Sequence, residues 1–318
     1  MSNIILELKQ KIAGKGLKIV FPEAHDERIL EAAVKLSEEG IVKPVLLGDV
    51  KNIPSKYDVS KCEIINPLEY QAFDTMVNSF VERRKGKNTV EDAKKMLLDE
   101  NYFGTMLVYM GLADGLVSGA TRSTGETVRP ALQIVKTKPG ISRTFGYFLM
   151  RRGTEKYIFA DCAINPNPTA EQLAEFAIES AKAAEMFGVE PKVALLSFST
   201  NGSAQTEESQ KMALATKIAI ERNSGYKIDG EMQFDAALIE SVGLKKYPNS
   251  KVAGKANTFI FPDLNSGNIG YKIAQRLGGF EAMGPILAGL NKPINDLSRG
   301  CSAEDAYKTA IITAAQAL

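Results

Sequence analysis

Continuous apolar segments alternate with segments of helical periodicity through most of the 318-residue chain, and this alternation constrains the fold more than any other feature. Six short apolar segments predict strands: 17–21, 44–48, 113–117, 156–160, 192–198 and 257–261. Continuous apolar runs are typical of strands covered on both faces, and strands that alternate with helices form parallel βαβ units. The sequence therefore predicts an α/β protein with mostly parallel, helix-covered sheets.

Two segments have the apolar spacing of an amphipathic helix. The residues that share a face are Ile29, Leu30, Ala33 and Val34 in the first, and Leu173, Phe176, Ala177, Ala181 and Ala184 in the second. We expect the first helix to end at Gly40. The charged segment 81–95 predicts a solvated helix–loop–helix, and the segment 164–168, rich in Pro and Asn, predicts a loop. These loops do not place a domain boundary.

The charge balance and the rare residue types exclude several classes of protein. Lys and Arg number 39 against 38 Asp and Glu, which argues against a general binder of nucleic acids or membrane surfaces. A single histidine cannot build a multi-histidine metal site. Cys62, Cys162 and Cys301 form no CxxC pair, which favours a reducing, cytoplasmic location. We expect no signal peptide and no membrane span.

Phosphate-binding signatures are mostly missing, since the chain has neither GxxxxGK[ST] nor a GxGxxG after a strand. The loop 197–204 nevertheless follows a predicted strand and leads into a helix near Thr206, where backbone N–H groups can hold an anion. The alternative is an ordinary capped loop with Ser203 or Thr206 as the N-cap. In the loop 261–268, Asp263 either orients a ligand or forms an Asx-turn.

The segment 295–305 precedes an Ala-rich helix and contains several candidate residues. Ser302 and Asp305 have the spacing of a capping box, which explains Asp305 structurally. Arg299 has no such local role, so it either faces an anion or forms a surface ion pair. Cys301 is a candidate nucleophile, but a small buried cysteine is the commoner state. The only histidine, His25, is interpreted as a loop residue at a strand end.

Two further arginines are candidate anion ligands. Arg129 precedes Pro130, which we expect at the first position of a helix. A positive side chain there opposes the helix dipole unless an anion lies nearby, so this position predicts a bound anion. Arg84 lies in the charged segment, and its local sequence favours a solvated helix face.

Taken in order, many segments resemble the phosphate acetyltransferase family over essentially the whole chain. The resemblance is carried by residues 21–23, 113–121, 129–133, 196–200, 202–204, 229–231, 252–257, 260–265 and 293–300. It implies reversible acetyl transfer between acetyl-CoA and phosphate. It also implies a homodimer of chains with two α/β domains and an interdomain cleft. The domains would comprise residues 1–146 with 292–318, and residues 147–291.

The resemblance also implies a set of catalytic residues. Arg299 would neutralise the phosphate or polarise the thioester carbonyl, and Ser298 would hydrogen-bond the same developing charge. Asp305 would act as the base toward the CoA thiol, which is mostly protonated at neutral pH. The reaction would proceed by direct attack. It requires no metal and no permanently bound cofactor, since acetyl-CoA and phosphate are substrates.

The implied substrate-binding residues are Arg84, Arg129, Ser199, Thr200 and Ser203. The arginines would hold the phosphates of CoA.

The resemblance leaves several points open. Arg83 is an alternative to Arg84, because the adjacent basic residues allow a shift of one position. Asn201 and Gln205 replace lysines that are common in the family, which suggests a weaker phosphate or CoA contact. Two other functions remain open: transfer of a longer acyl group such as butyryl, and a CoA-binding regulatory module without catalysis.

Overall fold

The computed structural model describes residues 3–222 and 225–318 and divides the chain into two compact units. The first unit ends at Lys138 and resumes with Leu290–Leu318, and the second is Pro139–Gly289. These junctions differ by a few residues from the expected crossings near Gly146 and Lys292. A crossing at Gly146 would divide a strand that begins at Phe145 and belongs wholly to the second unit.

A parallel sheet forms the centre of the first unit. Its strands, numbered along the chain, are β1 (Lys18–Phe21), β2 (Lys43–Leu47), β3 (Glu63–Ile65), β4 (Gly115–Ser118) and β11 (Ile294–Asp296). Their order is β11-β4-β1-β2-β3, and every neighbouring pair is parallel. The order reverses beside β1, where the next strand along the chain lies on one side and β4 on the other. Open α/β sheets bind ligands beyond the carboxyl ends of the strands at such a reversal.

Helices cover both faces of this sheet. They are α1 (Asn3–Ile12), α2 (Glu27–Glu38), α3 (Phe73–Arg84), α4 (Val90–Met96), α5 (Glu100–Tyr109), α6 (Thr124–Pro130) and α12 (Ala303–Gln316). Successive residues of β1 point to opposite faces. On one face Ile19 and Thr313 of α12 pack around Gly115, and on the other Val20 packs against Gly104 of α5.

The second unit contains a mixed sheet. Its strands are β5 (Phe145–Arg152), β6 (Glu155–Ala160), β7 (Lys192–Leu196), β8 (Lys227–Met232), β9 (Thr258–Ile260) and β10 (Glu281–Ala288). Their order is β10-β5-β6-β9-β7-β8. The neighbouring pairs β6–β9, β9–β7 and β7–β8 are parallel, whereas β5 is antiparallel to both β6 and β10.

Five helices accompany the second sheet: α7 (Ala170–Met186), α8 (Glu207–Arg222), α9 (Phe234–Leu238), α10 (Glu240–Lys246) and α11 (Leu264–Arg276). Aromatic stacking ties β5 to helices on both faces. Phe145 stacks on Phe176 of α7 with ring centroids 4.5 Å apart, and Phe148 stacks on Tyr271 of α11 at 4.0 Å. The continuous apolar character of these strands follows from this two-sided burial.

The predicted α/β class is confirmed, with sheets in which parallel pairs predominate. Each of the six predicted strands overlaps an observed strand, and α2 and α7 contain the two predicted helix faces. The segment 81–95 spans the end of α3 and most of α4 and is largely exposed, with Ala93 its one buried residue, as the prediction of a solvated helix–loop–helix requires. Across the described residues, no helix combines the length and apolar character needed to cross a membrane.

Candidate active site

Three loops leave the carboxyl edge of the first unit's sheet beside its order reversal: residues 22–26 after β1, 119–123 after β4 and 297–302 after β11. Parallel strands place these loops at one edge, as expected for a ligand site. The last loop contains Ser298 and Arg299, two of the predicted catalytic residues.

A buried carboxylate, Glu23, organises the loop after β4. Its two oxygens accept the backbone N–H groups of Gly119, Ala120, Thr121 and Arg122 at 2.7–3.1 Å, together with the Thr121 hydroxyl. Glu23 is only 1% exposed. Five donors converge on this one carboxylate, and hydrogen bonds to a carboxylate are stronger than those between neutral groups. The sequence contained only an indirect signal for this role, the Phe-Pro-Glu segment directly after β1.

Arg28 holds the loop after β11 through hydrogen bonds to its backbone. One terminal nitrogen, Nη1, donates to the backbone carbonyls of Arg299 and Cys301, both at 2.9 Å, and Nη2 donates to that of Ala120 at 2.8 Å. Asp26 holds the guanidinium in place through Nε and Nη2. The hydrogen bond from Arg28 holds the pKa of Asp26 below its usual range. The backbone of the loop is therefore held in place, while the side chains of Ser298 and Arg299 are exposed.

The side chains of Ser298 and Arg299 are exposed on this fixed backbone. The Ser298 hydroxyl accepts the Gly300 N–H at 3.2 Å. With the described residues, the Arg299 guanidinium forms no ion pair and no side-chain hydrogen bond, so it is available to an anion. The alternative interpretation, a surface ion pair within the chain, is therefore not what the structure shows.

Asp305 forms the capping box that its spacing predicted. Its Oδ2 accepts the Ser302 backbone N–H at 2.9 Å and the Ser302 hydroxyl at 2.8 Å, while the Ser302 Oγ accepts the Asp305 N–H at 3.1 Å. Both residues are exposed. The carboxylate therefore has a complete structural role at the start of α12 and remains accessible to solvent.

Cys301 and His25 do not form a catalytic pair. Cys301 is 8% exposed, and burial raises the pKa of its thiol, which disfavours the reactive thiolate. His25 is exposed after β1, and its Nε2 lies 3.4 Å from the Thr121 hydroxyl. The interpretations of a buried cysteine and a loop histidine agree with this geometry.

Arg129 occupies a different helical position from the one expected. Pro130 does not open a helix: it is the last residue of α6, which begins at Thr124 after a capping box of Ser123 and Glu126, and a π-helix, Ala131–Val135, follows directly. Arg129 therefore lies inside a continuous helical segment and not at its start. The argument for an anion from a helix start was wrong at this residue.

Arg84 and Arg129 nevertheless lie close together, around Tyr102. Burial raises the pKa of the Tyr102 hydroxyl, and the two neighbouring arginines oppose that rise. Arg84 donates from Nε to the Asn88 side chain at 2.9 Å and is half-buried. Arg83 instead donates to the backbone carbonyls of Ile134 and Val135, which gives it a structural role.

A cationic cluster extends this surface. Burial lowers the pKa of Lys136, and the charges of four neighbouring cations lower it further: Arg83, Lys85, Arg84 and Lys87. Lys136 also adopts a left-handed conformation, with φ at 64°. Like charges gathered in this way favour a polyanionic ligand that neutralises them. The sequence revealed the basic residues after α3 but not the approach of Lys136.

The comparisons with known proteins agree over the whole chain. The family model described as "Phosphate acetyl/butaryl transferase" matches residues 3–314. A phosphate acetyltransferase of Bacillus subtilis is 58% identical, and one of Staphylococcus epidermidis is 56% identical, each with both chains fully covered.

Two solved structures show the same fold. The EutD phosphotransacetylase of Staphylococcus aureus has a TM-score of 0.96 at 56% identity, and a phosphotransacetylase of Streptococcus pyogenes has 0.97 at 59%. Both comparisons cover 100% of this chain and 99% of the other. The chain belongs to the phosphate acetyl/butaryl transferase family. It is therefore an acyltransferase.

In this member of the family, the loop after β7 in the second unit is also organised by a buried glutamate. Glu231 Oε1 accepts the Ser199 hydroxyl at 2.8 Å and the Gly202 N–H at 2.9 Å. Ser203 Oγ accepts the Thr200 N–H at 3.0 Å. Ser199 and Thr200 are buried, whereas Ser203 is exposed.

The helix starts near these loops have ordinary caps. Thr206 precedes α8, and its hydroxyl accepts the Ser209 N–H at 3.3 Å, as an N-cap does. Asp263 is the N-cap of α11 and accepts the Ser266 N–H at 2.9 Å. Asn201 is exposed with φ at 49°, a conformation that asparagine tolerates better than most residues.

No metal is assigned to this site. Within residues 3–222 and 225–318, no group of three His, Cys, Asp or Glu side chains is arranged to hold a metal ion.

Proposed function

We propose that the chain catalyses reversible transfer of an acetyl group between acetyl-CoA and inorganic phosphate, which yields acetyl phosphate and CoA. Relatives at 56–58% identity over the full chain support this proposal, since they carry the name phosphate acetyltransferase. The structural observation that carries it is the Arg299 guanidinium, which is exposed, has no partner among the residues that the structure describes, and lies on a loop whose backbone Arg28 holds.

Arg299 and Ser298 stabilise the charge that develops during the reaction. A phosphate oxygen attacks the thioester carbon, and the carbonyl oxygen becomes negative before the carbon–sulfur bond breaks. A guanidinium fork and a hydroxyl can both donate to that oxygen or to the phosphate. Because the loop backbone is already held by Arg28, little reorganisation is needed as the charge forms.

Asp305 is the proposed base for the CoA thiol in the direction that consumes acetyl phosphate. A free thiol has a pKa of about 8.5, so proton removal assists its attack at neutral pH. The known hydrogen bonds of Asp305 engage Oδ2, and the exposed carboxylate retains accepting capacity for a thiol proton. In the opposite direction the same group returns the proton to the leaving thiolate.

CoA carries several phosphate groups, and the basic surface of the first unit could bind such negative charges. We propose that Arg84 and Arg129, which flank Tyr102, bind these phosphates, and that Arg83 serves the fold instead. A separate proposal concerns the loop after β7, where Ser199, Thr200 and Ser203 would contact substrate. Ser203 is the exposed hydroxyl of the three and the first to test by substitution with alanine.

Phosphate-dependent release of thiol from acetyl-CoA tests the central proposal directly. We expect Arg299→Lys to reduce kcat/KM by at least about 100-fold, because a point charge cannot replace a bidentate fork. Arg222→Lys, on an exposed helix position of the second unit, is the matched control and should remain within about twofold. Folded protein without phosphate-dependent thiol release would contradict the proposal.

Butyryl transfer is the second candidate, because the matching family model includes both acetyl and butyryl transferases. Acyl preference depends on the volume and lining of the acyl pocket, and each methylene changes discrimination by only about 1–3 kcal/mol. A kcat/KM series with acetyl-, propionyl- and butyryl-CoA separates the candidates. A higher kcat/KM for butyryl-CoA would replace the acetyl proposal.

We also propose that the chain forms a homodimer through the second unit. Helix α11 and its C-cap residue expose an apolar stripe at intervals of four residues: Ile269 is 55% exposed, Ile273 54% and Leu277, the C-cap, 86%. Beside it lies a groove of about 400 Å³ lined mainly by aromatic side chains: Tyr157, Phe159, Phe234, Phe259, Phe261 and Phe280. Contiguous apolar surface of this kind marks a protein interface.

A second copy of the chain is the occupant that the surrounding charges favour. At the edge of the groove Arg152 and Glu155 form an ion pair with each other at 2.8 Å, and α11 ends at Arg276, so the apolar surface is not surrounded by charge of a single sign. A twofold interface brings the same surface together with itself, and an edge without an excess of one charge lets two copies approach.

We propose a cytoplasmic location. Among the described residues the three cysteines are all free, as expected in a reducing compartment. Cell fractionation with an antibody against the chain would test this location.

A further inference from the structure

A second buried carboxylate, Asp296, lies next to the proposed catalytic loop but has no role in the mechanism above. It ends β11, two residues before Ser298, and is 3% exposed. Its Oδ2 accepts the Thr124 hydroxyl at 2.6 Å, whereas its Oδ1 has no hydrogen-bond partner among the described residues. The backbone of Gly119 lies directly against Oδ1, since a Cβ there would be 2.4 Å away.

The charge on Asp296 is costly in this position. Its pKa is raised to about 6, chiefly by burial and also by the nearby Glu23, although the hydroxyls of Thr124 and Thr127 lower it. An asparagine would fill the same space and accept the same hydroxyl without a buried charge. Packing and hydrogen bonding within the chain therefore do not account for a carboxylate here.

Thr124 links the buried Asp296 carboxylate to the protein surface. Thr124 is exposed at the first position of α6, directly after the loop that Glu23 organises. Its hydroxyl proton is committed to the ionised carboxylate at 2.6 Å. A hydroxyl has one proton and two lone pairs, so toward solvent Thr124 offers only an acceptor. The Arg299 guanidinium, on the loop after β11 at the same sheet edge, is by contrast only a donor.

An acceptor beside cationic donors distinguishes anions by their protonation. Phosphate near neutral pH carries a proton on at least one oxygen, whereas sulfate carries none. We propose that Thr124, held by Asp296, accepts a hydrogen bond from the protonated oxygen of the substrate phosphate and so selects phosphate over sulfate. This inference rests on the proposed function, because it concerns the same phosphate. A site built to pair with a substrate proton rejects analogues that lack it.

Sulfate inhibition of the thiol-release reaction tests the inference. The measured quantity is the ratio of the sulfate inhibition constant to the KM for phosphate. We expect Thr124→Val to raise the KM for phosphate at least about 10-fold while leaving sulfate inhibition unchanged, so that the ratio falls about 10-fold. Thr124→Ser retains the hydroxyl and should keep the ratio within about twofold. Asp296→Asn should lower the ratio, because an amide can present its N–H as well as its carbonyl oxygen to Thr124, so the threonine proton is no longer always directed inward.

The pH dependence provides a second readout on wild-type protein. Protonation of Asp296 below about pH 6 lets its O–H donate to Thr124, which frees the threonine proton for sulfate. The ratio should therefore fall as the pH falls through this range, and it should be flatter in Asp296→Asn. Equal effects of Thr124→Val on phosphate and sulfate, or no effect on either, would overturn the inference. Loss of all phosphate-dependent thiol release in wild type would instead contradict the proposed function.

Discussion

Asp305 has two roles that a single substitution can separate. Asp305→Asn keeps a side-chain acceptor for the Ser302 N–H, so we expect the free energy of unfolding to change by less than about 0.5 kcal/mol. It removes the proposed base, so kcat in the direction that consumes acetyl phosphate should fall by about 10²–10⁴-fold. Denaturant unfolding and initial rates measure the two effects.

Ser302→Ala is the matched control for the capping box. It removes the N-cap hydroxyl and should cost about 1 kcal/mol of stability while leaving kcat within about twofold. If Asp305→Asn retains near wild-type kcat, Asp305 serves only the helix start and the base must be another group.

Asp296 also makes stability depend on pH. Its pKa in the folded chain is raised from the usual 3.8 to about 6, so the folded state binds this proton more tightly than the unfolded state does. Stability from this group is therefore greatest below pH 4 and is lost as the pH rises from about 4 to 6. The loss is up to about 3 kcal/mol. In Asp296→Asn the free energy of unfolding at pH 7 should be higher than in wild type, with a flatter profile between pH 4 and 7. Urea titrations across that range measure it, and identical profiles would contradict the assignment.

At the scale of elements, the loop after β4 depends on one glycine. Gly119 has φ at 110°, and an added Cβ would lie 2.4 Å from Asp296 Oδ1 and 2.6 Å from the Leu297 carbonyl oxygen. Gly119→Ala combines backbone strain with a backbone clash, so we expect a loss of about 3 kcal/mol or more.

Gly125 provides the comparison within the same region. It lies in α6 without a positive φ, and the nearest heavy atom to an added Cβ is 4.0 Å away. Gly125→Ala should therefore stabilise the chain by about 0.5–1 kcal/mol, because alanine suits a helix better than glycine. Thermal and urea unfolding of both variants measure the contrast. A mild effect of Gly119→Ala would show that the loop can relax away from Asp296.

The same elements show what sequence patterns can and cannot predict. Strands such as β1 and β7 are apolar throughout because both sides of the sheet are covered, so their pattern is local and readable. The strands β3 and β11 have only three residues each, too few for a periodicity. The antiparallel pairing of β5 with β10 joins residues more than 120 positions apart, as Leu149 with Met283 shows, and no local pattern encodes it.

In the candidate site, too, contacts between residues close in sequence could be predicted and contacts between distant residues could not. The capping box of Ser302 and Asp305 depends on residues three apart and was predictable. The carboxylate of Glu23 meets N–H groups about 96 residues away, and the guanidinium of Arg28 meets carbonyls more than 270 residues away. The resemblance to a family could point to Arg299, but only the fold shows what holds its loop.

At the scale of the whole molecule, assembly is the property that the exposed surface of α11 predicts. Stable interfaces bury about 800 Å² per partner, and an aromatic groove with an adjacent stripe of large side chains can supply much of that area. Light scattering during gel filtration should give wild type twice the 34.6 kDa mass of the chain. The double variant Ile273→Glu, Leu277→Glu places like charges on the stripe and should elute as a monomer.

The control for that variant is an equally exposed leucine elsewhere. Leu68 is 77% exposed in the first unit, so Leu68→Glu adds the same charge away from α11 and should leave the dimer intact. Dissociation by both variants would indicate a general effect of added charge, and a monomeric wild type would rule out the homodimer. A monomeric stripe variant beside a dimeric Leu68→Glu variant would assign the interface to the end of α11, since Ile273 lies in its last turn and Leu277 directly follows it.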